Sequence, residues 1–136
     1  MFLSSLLYPL MPWAILALRI ALAAIFFVHG PPKIQKSKEM AGDMGMTPGM
    51  VTLVGFLETL GAVSVLLGLF TQIGALALVV VMIGAIYYKS QKWHVPFSKM
   101  GAMGWEFDLI ILCSAFTLAT IGAGPLSVDW QILGGY

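Results

Sequence analysis

Four long apolar runs, separated by short stretches of glycine, proline and lysine, dominate the pattern of hydrophobic and polar positions. They cover about residues 12–29, 50–69, 71–88 and 104–123. Each has about the 20 residues that an α-helix needs to cross the hydrocarbon layer of a bilayer. The alternation typical of a membrane β-barrel is absent. The pattern therefore predicts an all-α protein, a bundle of four transmembrane helices in a single domain over residues 1–136.

Local signals set the expected ends of these helices. Gly30-Pro31-Pro32 predicts the end of the first helix, because proline has no N–H to continue the helical hydrogen bonding. A tight connection at Phe70-Thr71 is expected between the second and third helices. The first run is predicted to be a retained span rather than a signal peptide, since Arg19 lies inside it and no basic segment precedes it.

The composition supports lipid as the solvent of this chain. It is 60% hydrophobic and 10% charged, against roughly 25% charged in a soluble domain. A net charge of +1 gives no basic surface for a nucleic acid. The single cysteine, Cys113, excludes an intrachain disulfide or a four-cysteine cluster, so no intrinsic cofactor is expected and redox work would need a bound or borrowed one.

The lysines predict the orientation in a cell membrane. They fall in the loops after the first and third helices, whereas the second connection and both termini have no lysine or arginine. By the positive-inside rule, these loops are expected in the cytoplasm and both termini outside. The six lysines are Lys33, Lys36, Lys38, Lys89, Lys92 and Lys99.

Two ionisable residues lie inside the apolar runs, where a charge costs about 2.5–3.5 kcal/mol on insertion scales. Arg19 is about 15 Å and Glu58 about 12 Å from the expected lysine-bearing ends of their helices. At similar depths they are predicted to pair. The pair is read either as a structural bridge between the two helices or as a polar site for a ligand head group or a proton, and these readings are compatible.

Three other residues near the lysine-bearing end are candidates for chemistry. His29 ends the first predicted helix, where a cation suits the helix terminus and an imidazole can also transfer protons. Glu106 and Asp108 begin the fourth helix, where acids complement the helix dipole. Two residues apart, they project about 200° from each other, so only one can face the interior of the bundle.

The sequence supports a metal or haem site less strongly. A haem held by His29 and His94 is not favoured, because His94 is expected in a loop. The Met44-x-Met46 spacing in the first lysine-bearing loop suits Cu(I), but methionines in such loops more commonly contact lipid or a protein partner. No metal site is therefore assigned.

Several segments together resemble the DoxX family of small four-helix membrane proteins over nearly the whole chain. They are Arg19 followed by FFVHG at residues 26–30 and Lys33, GFLETLGAVSVLLGLFTQIGALAL at 55–78, GWEFDLIIL at 104–112 and GAGPLSVDW at 122–130. The resemblance implies a four-helix bundle whose polar positions are Arg19, His29, Lys33, Glu58 and Glu106. It favours Glu106 over Asp108 as the inward acid, and it marks Ser127 and Asp129 as a C-terminal signature.

The family is associated with membrane oxidoreductase assemblies, which leads to three hypotheses. The first is a redox-associated subunit whose polar funnel on the cytoplasmic half receives a quinone-like head group. In it Arg19, Lys33 and Glu58 bind the ligand, and Glu58, His29 and Glu106 exchange protons. Electrons would come from a redox partner protein, and a homo-oligomer or larger complex is expected. The second is a non-catalytic structural or assembly subunit, and the third is a small-solute or proton carrier.

Overall fold

The computed structural model describes residues 2–134, and the side chains of all of these except Phe2, Ser4 and Leu133. This part of the chain is helical, with loops and no β-strand. Its α-helices are α1 (Phe2–Leu7), α2 (Met11–Gln35), α3 (Ser37–Met44), α4 (Pro48–Leu67), α5 (Thr71–Tyr87), α6 (Glu106–Ile121) and α7 (Val128–Leu133). A 3₁₀ turn (Tyr8–Leu10) precedes α2, and a π-helical turn (Tyr88–Lys92) extends α5. Met1, Gly135 and Tyr136 lie outside the described residues, so the expected side of the two termini stays a prediction.

Three of the helical segments are long and apolar enough to cross a membrane: Ser5–Gln35, Pro48–Leu67 and Thr71–Lys92. The fourth predicted span corresponds to α6, which has 16 residues. At 1.5 Å per residue α6 is about 24 Å long, which is shorter than a hydrocarbon layer of about 30 Å. The prediction of an all-α membrane protein is therefore confirmed, whereas the count of four spans stays a prediction.

The predicted end of the first helix at Gly30-Pro31-Pro32 is wrong, because α2 continues through both prolines to Gln35. Proline disfavours the helical conformation in the preceding residue partly through that residue's Cβ, and Gly30 has none. Gly30 also packs so closely on α4 that a Cβ there would lie 3.0 Å from the backbone nitrogen of Thr59. Tertiary packing thus keeps this segment helical and places Lys33 on α2 rather than in a loop.

The helices pack in chain order, with α2 against α4, α4 against α5, and α5 against α6. Small residues permit the close approaches. A Cβ on Gly55 would lie 2.8 Å from the Gly30 carbonyl oxygen, and one on Gly61 would lie 2.7 Å from the Leu78 side chain. The interior is filled by apolar side chains that are almost fully buried, among them Leu22, Phe26, Val65, Leu78 and Leu118.

The outer surface of the bundle is apolar along its helices. Large hydrophobic side chains are more than half exposed on α4, α5 and α6, including Leu53, Leu60, Ile73, Val80, Ile110 and Phe116. Water-soluble proteins rarely expose apolar surface this extensive. The acyl chains of a bilayer cover such a surface without cost, which agrees with the composition.

The connection from α4 to α5 is as tight as expected and depends on left-handed backbone conformations. Gly68 has φ +67° and Phe70 has φ +50°. The Leu69 N–H donates to the Ser64 carbonyl, and the Ser64 hydroxyl donates back to the Leu69 carbonyl at 2.7 Å. Glycine is required at position 68 for space as well, since a Cβ would lie 2.6 Å from Arg19 Nη2.

Both lysine-bearing loops lie at one end of the bundle, as predicted. The Trp93 indole N–H, just after the π-helical turn that extends α5, donates to the carbonyl of Met44 at the end of α3 at 3.1 Å. We call this the lysine-bearing end, and the end with the α4–α5 connection the opposite end. Which end faces the cytoplasm stays a prediction.

Replacing Gly55 with alanine should destabilise the bundle, because the new Cβ would overlap the Gly30 carbonyl and the Lys33 Cβ. Overpacking of this kind costs about 1–3 kcal/mol. Gly84→Ala in α5 is the matched control, since nothing lies within 4 Å of its Cβ position. Thermal unfolding in detergent should give a lower Tm for Gly55→Ala and an equal or higher Tm for Gly84→Ala; equal Tm values would contradict this packing.

Candidate functional site

A buried ion pair connects α2 to α4 near the lysine-bearing end. Glu58 is 1% exposed, and the Lys33 ammonium donates a hydrogen bond from Nζ to Glu58 Oε1 at 2.5 Å. Lys33 comes from the last turns of α2, which exist because the helix continues past Pro31-Pro32. We call Lys33 and Glu58 the inner pair.

The second oxygen of Glu58 is left without a partner. Among the described residues, nothing hydrogen-bonds to the buried Oε2 atom. Leaving such an atom unsatisfied costs about 1–3 kcal/mol, and more for a charged group. The inner pair therefore has spare capacity to accept a hydrogen bond or to hold a proton.

His29 lies one helical turn before Lys33 on α2, near enough to Glu58 for an electrostatic interaction. Its Nδ1 atom is 2.7 Å from the Ile25 carbonyl oxygen. Because a carbonyl can only accept, Nδ1 carries the proton of the neutral ring. Nε2 is then the free acceptor of this exposed histidine, available to a ligand or a proton.

Arg19 does not contact Glu58, so the predicted pairing of these residues is wrong. The Arg19 guanidinium donates four hydrogen bonds to backbone carbonyls at the opposite end. The acceptors are Val65 at 2.8 Å, Leu66 at 2.7 Å, Ala123 at 3.1 Å and Leu126 at 2.6 Å. We call this set the arginine clamp.

The mistake follows from the position assumed for the end of α2. Arg19 and Lys33 are 14 residues apart on one helix, which is about 21 Å along its axis. Lys33 rather than Arg19 lies at the depth of Glu58. The predicted funnel therefore loses Arg19, which binds the end of α4 to the segment after α6.

The acid that faces inward at the start of α6 is also not the one expected. Asp108 is the buried one, 6% exposed, and accepts a hydrogen bond from Lys89 Nζ at 2.6 Å. Glu106, expected to face inward, is half-buried beside the preceding loop, where its N–H donates to the Phe97 carbonyl. Its Oε2 is buried without a partner in the described part of the chain. Neither acid makes an ion pair with the residues of the inner pair.

The structural role of Asp129 was not predicted from the sequence. Its carboxylate accepts the backbone N–H groups of Phe70 and Thr71 at 2.8 and 2.9 Å, and its own N–H donates to the Gly68 carbonyl at 2.7 Å. Asp129 thus caps α5 from a distant part of the chain. One feature pointed to such a role. The residue before α5 is Phe70, whose side chain cannot accept a hydrogen bond, so the first N–H groups of α5 need an acceptor from elsewhere in the chain.

The surroundings of Asp129 keep its carboxyl group ionised. Partial burial raises its pKa, but the hydrogen bonds from the Thr71 and Phe70 N–H groups and the charge of Arg19 lower it more. The net pKa is below the ordinary value for an aspartate. The cap therefore retains its charge in mildly acidic solution.

Within residues 2–134, no group of three or more histidine, cysteine, aspartate or glutamate side chains is arranged to hold a metal ion. The copper reading of the methionine-rich loops is not tested by this observation, because it rests on thioethers.

The apolar helices and their buried charges define a small helical membrane protein. The DoxX family model matches residues 14–91, and the chain belongs to the DoxX family. A protein of Bacillus subtilis (strain 168) named "Putative oxidoreductase CatD" is 34% identical over 117 residues, which cover 84% of this chain and 83% of that protein. An uncharacterised protein of Haemophilus influenzae is 29% identical over 124 residues, covering 87% and 90%. No solved structure matches the chain.

A double-mutant cycle should separate the two buried networks. Lys33→Met and Glu58→Gln should show a coupling free energy of unfolding above about 1 kcal/mol, because each removes the same ion pair. Arg19→Lys and Glu58→Gln should be additive within about 0.5 kcal/mol. Chemical unfolding in mixed micelles measures both cycles, and strong coupling between Arg19 and Glu58 would contradict the structure.

Asp129 should make stability depend on pH in the acid range. Its folded-state pKa lies below its unfolded value, so its contribution is fully present above the unfolded pKa of about 3.9 and is lost as pH falls through the folded pKa. The difference in Tm between the wild type and Asp129→Asn should be large near neutral pH and should shrink below about pH 4. A difference that stays constant to the acid end would contradict this role.

Proposed function

We propose that this protein is a membrane subunit of an oxidoreductase system, and that the inner pair is the polar end of a site for a quinone-like head group. The observation that carries the proposal is the unpartnered Oε2 atom of Glu58, a carboxylate 1% exposed within a membrane-spanning helix. An ionisable group at such a position is expensive and is the default candidate for a functional site. Membership of the DoxX family and the name of the Bacillus relative support the oxidoreductase connection.

The inner pair offers the two kinds of contact that a quinone head group needs. Lys33 Nζ has three N–H donors and spends one on Glu58, so it can donate to a quinone carbonyl. Glu58 Oε2 can accept from the hydroxyl of the reduced form. One site can therefore hold either redox state, with the contacts shared between the ammonium and the carboxylate.

Reduction of a quinone takes up two protons with two electrons, so a proton source must lie nearby. His29 is exposed, has a free Nε2 atom and interacts electrostatically with Glu58. We assign it the transfer of protons between the membrane surface and Glu58. The electrons would come from a redox partner protein. Arg19 and Glu106 have no part in this site, because their contacts lie elsewhere.

We also propose that α6 completes a four-span bundle in the cell membrane, with the lysine-bearing end in the cytoplasm. Its 16 residues are flanked by Trp105 and by the loop after Ile121. It packs along α5, which together with the π-helical turn is long enough to cross. The concentration of lysines at one end supports the orientation.

A structural or assembly subunit is the alternative function, and the arginine clamp favours it. All four carbonyls bound by Arg19 belong to this chain, so this buried charge is explained by folding alone. On that reading the inner pair would likewise only join α2 to α4.

A soluble short-chain ubiquinone or menaquinone analogue should raise the Tm of the purified protein. Ligand at a hundred times its Kd adds about 2.7 kcal/mol to the stability of the folded state. Glu58→Gln should abolish the rise, because it removes the carboxylate and the ion pair. Glu39→Gln is the matched control, since Glu39 is an exposed acid near the same end on α3.

An unchanged Tm with both analogues would overturn the head-group site. A rise that persists in Glu58→Gln would place binding elsewhere. Co-purification with a stoichiometric membrane partner, together with no response to either analogue, would favour the assembly subunit.

A further inference from the structure

A groove of about 360 Å³ with a mixed polar and apolar lining lies at the opposite end of the bundle, far from the inner pair. It runs between the start of α5, the end of α6 and the start of α7. Its polar lining includes Thr71, Gln72, Thr120, Ser127, Asp129 and Trp130. The proposed function makes no use of these side chains.

The groove offers hydrogen-bond acceptors alongside the donors of the Thr71 hydroxyl, the Gln72 amide and the Trp130 indole. Two of the about four acceptor positions of the Asp129 carboxylate take backbone N–H groups and the Thr71 hydroxyl can take a third, which leaves one for a ligand. The Thr120 hydroxyl donates to carbonyls of its own helix at 2.8 and 3.2 Å, so only its acceptor side is left for a ligand. The negative pole of α6 lies at the groove, while the positive poles of α5 and α7 are already capped by Asp129 and Ser127.

The negative charge in the groove has no cation in direct contact. Among residues 2–134 the ion pairs are Lys33–Glu58 and Lys89–Asp108, so Asp129 belongs to neither. Arg19 is the nearest cation of the interior, but it is 1% exposed and its N–H groups are directed at carbonyl oxygens. A cation entering from outside would therefore meet the carboxylate rather than the guanidinium.

Aromatic rings complete the groove. Trp130 follows Asp129 directly and is 41% exposed, and Phe70 at the α4–α5 connection also lines the groove. The face of an aromatic ring attracts an organic cation electrostatically. A carboxylate beside such rings is a suitable receptor for an alkylammonium group.

We propose that this groove binds a primary ammonium group, with Asp129 as its counter-ion. A small cation with N–H donors suits the free acceptor positions of Asp129 and Thr120. A quaternary ammonium has no N–H to donate, and the carboxylate would repel an anion. The groove lies at the ends of membrane-spanning helices, where headgroups are found. The ammonium can come from an ethanolamine lipid headgroup or from a free amine.

Native mass spectrometry of the full chain, released from nanodiscs of equal phosphatidylethanolamine and phosphatidylglycerol, tests this. One charge-assisted hydrogen-bonded contact of about 1.5 kcal/mol gives about a tenfold preference for the ethanolamine lipid. Asp129→Asn should remove the preference. Thr120→Phe should remove it too by filling the groove without disturbing the cap on α5.

The matched control is Thr117→Phe, an exposed α6 threonine one turn away that also bonds only to its own helix and does not line the groove. It should keep the wild-type preference. If Asp129→Asn fails to fold, Thr120→Phe decides. Equal binding of the two lipids by the wild type, or a preference that survives Thr120→Phe, would overturn the proposal. Displacement of the lipid by free ethanolamine would identify a soluble amine as a second source of the same group, and its absence would restrict the site to lipid.

Discussion

The need to satisfy every charge inside an apolar bundle determines how these helices are arranged. In a low-dielectric surrounding, a buried ion without partners costs far more than any one packing contact provides. Glu58 has a lysine from α2, Asp108 has a lysine from the π-helical turn after α5, and Arg19 has four carbonyls from α4 and the segment after α6. Each of these three sets of contacts joins segments that are separate in the sequence. Together they determine which helices are neighbours and how far each is shifted along the bundle axis.

The sequence predicted the features that depend on local composition. Apolar runs of about the bilayer thickness identified three helices long enough to span, and the clustering of lysines placed two loops at one end. The partners of Arg19 were not predictable in this way, because backbone carbonyls have no signature in a sequence. The helix end predicted at Gly30-Pro31-Pro32 was wrong for a related reason. The packing of Gly30 on α4 outweighs the local preference of proline, and that packing is not visible in the sequence.

The candidate site was predicted in part for the same reasons. Glu58 stands out as an acid within an apolar run, and Lys33 and His29 follow from their spacing on α2. Whether Glu106 or Asp108 faces inward depends on where Lys89 lies, and the π-helical turn that follows α5 is not visible in the sequence. The role of Asp129 required knowing that α7 folds back over the start of α5.

Pro31 and Pro32 have a mechanical consequence for the inner pair. Neither residue has an N–H, so the carbonyls of Phe27 and Val28 lose their usual donors within α2. Bending should therefore require less energy at this point than elsewhere along the helix. Lys33 lies just beyond it, whereas Glu58 is in the uninterrupted α4. A small hinge motion of the last turn of α2 would change the ammonium–carboxylate separation and so control access to the buried Oε2 atom.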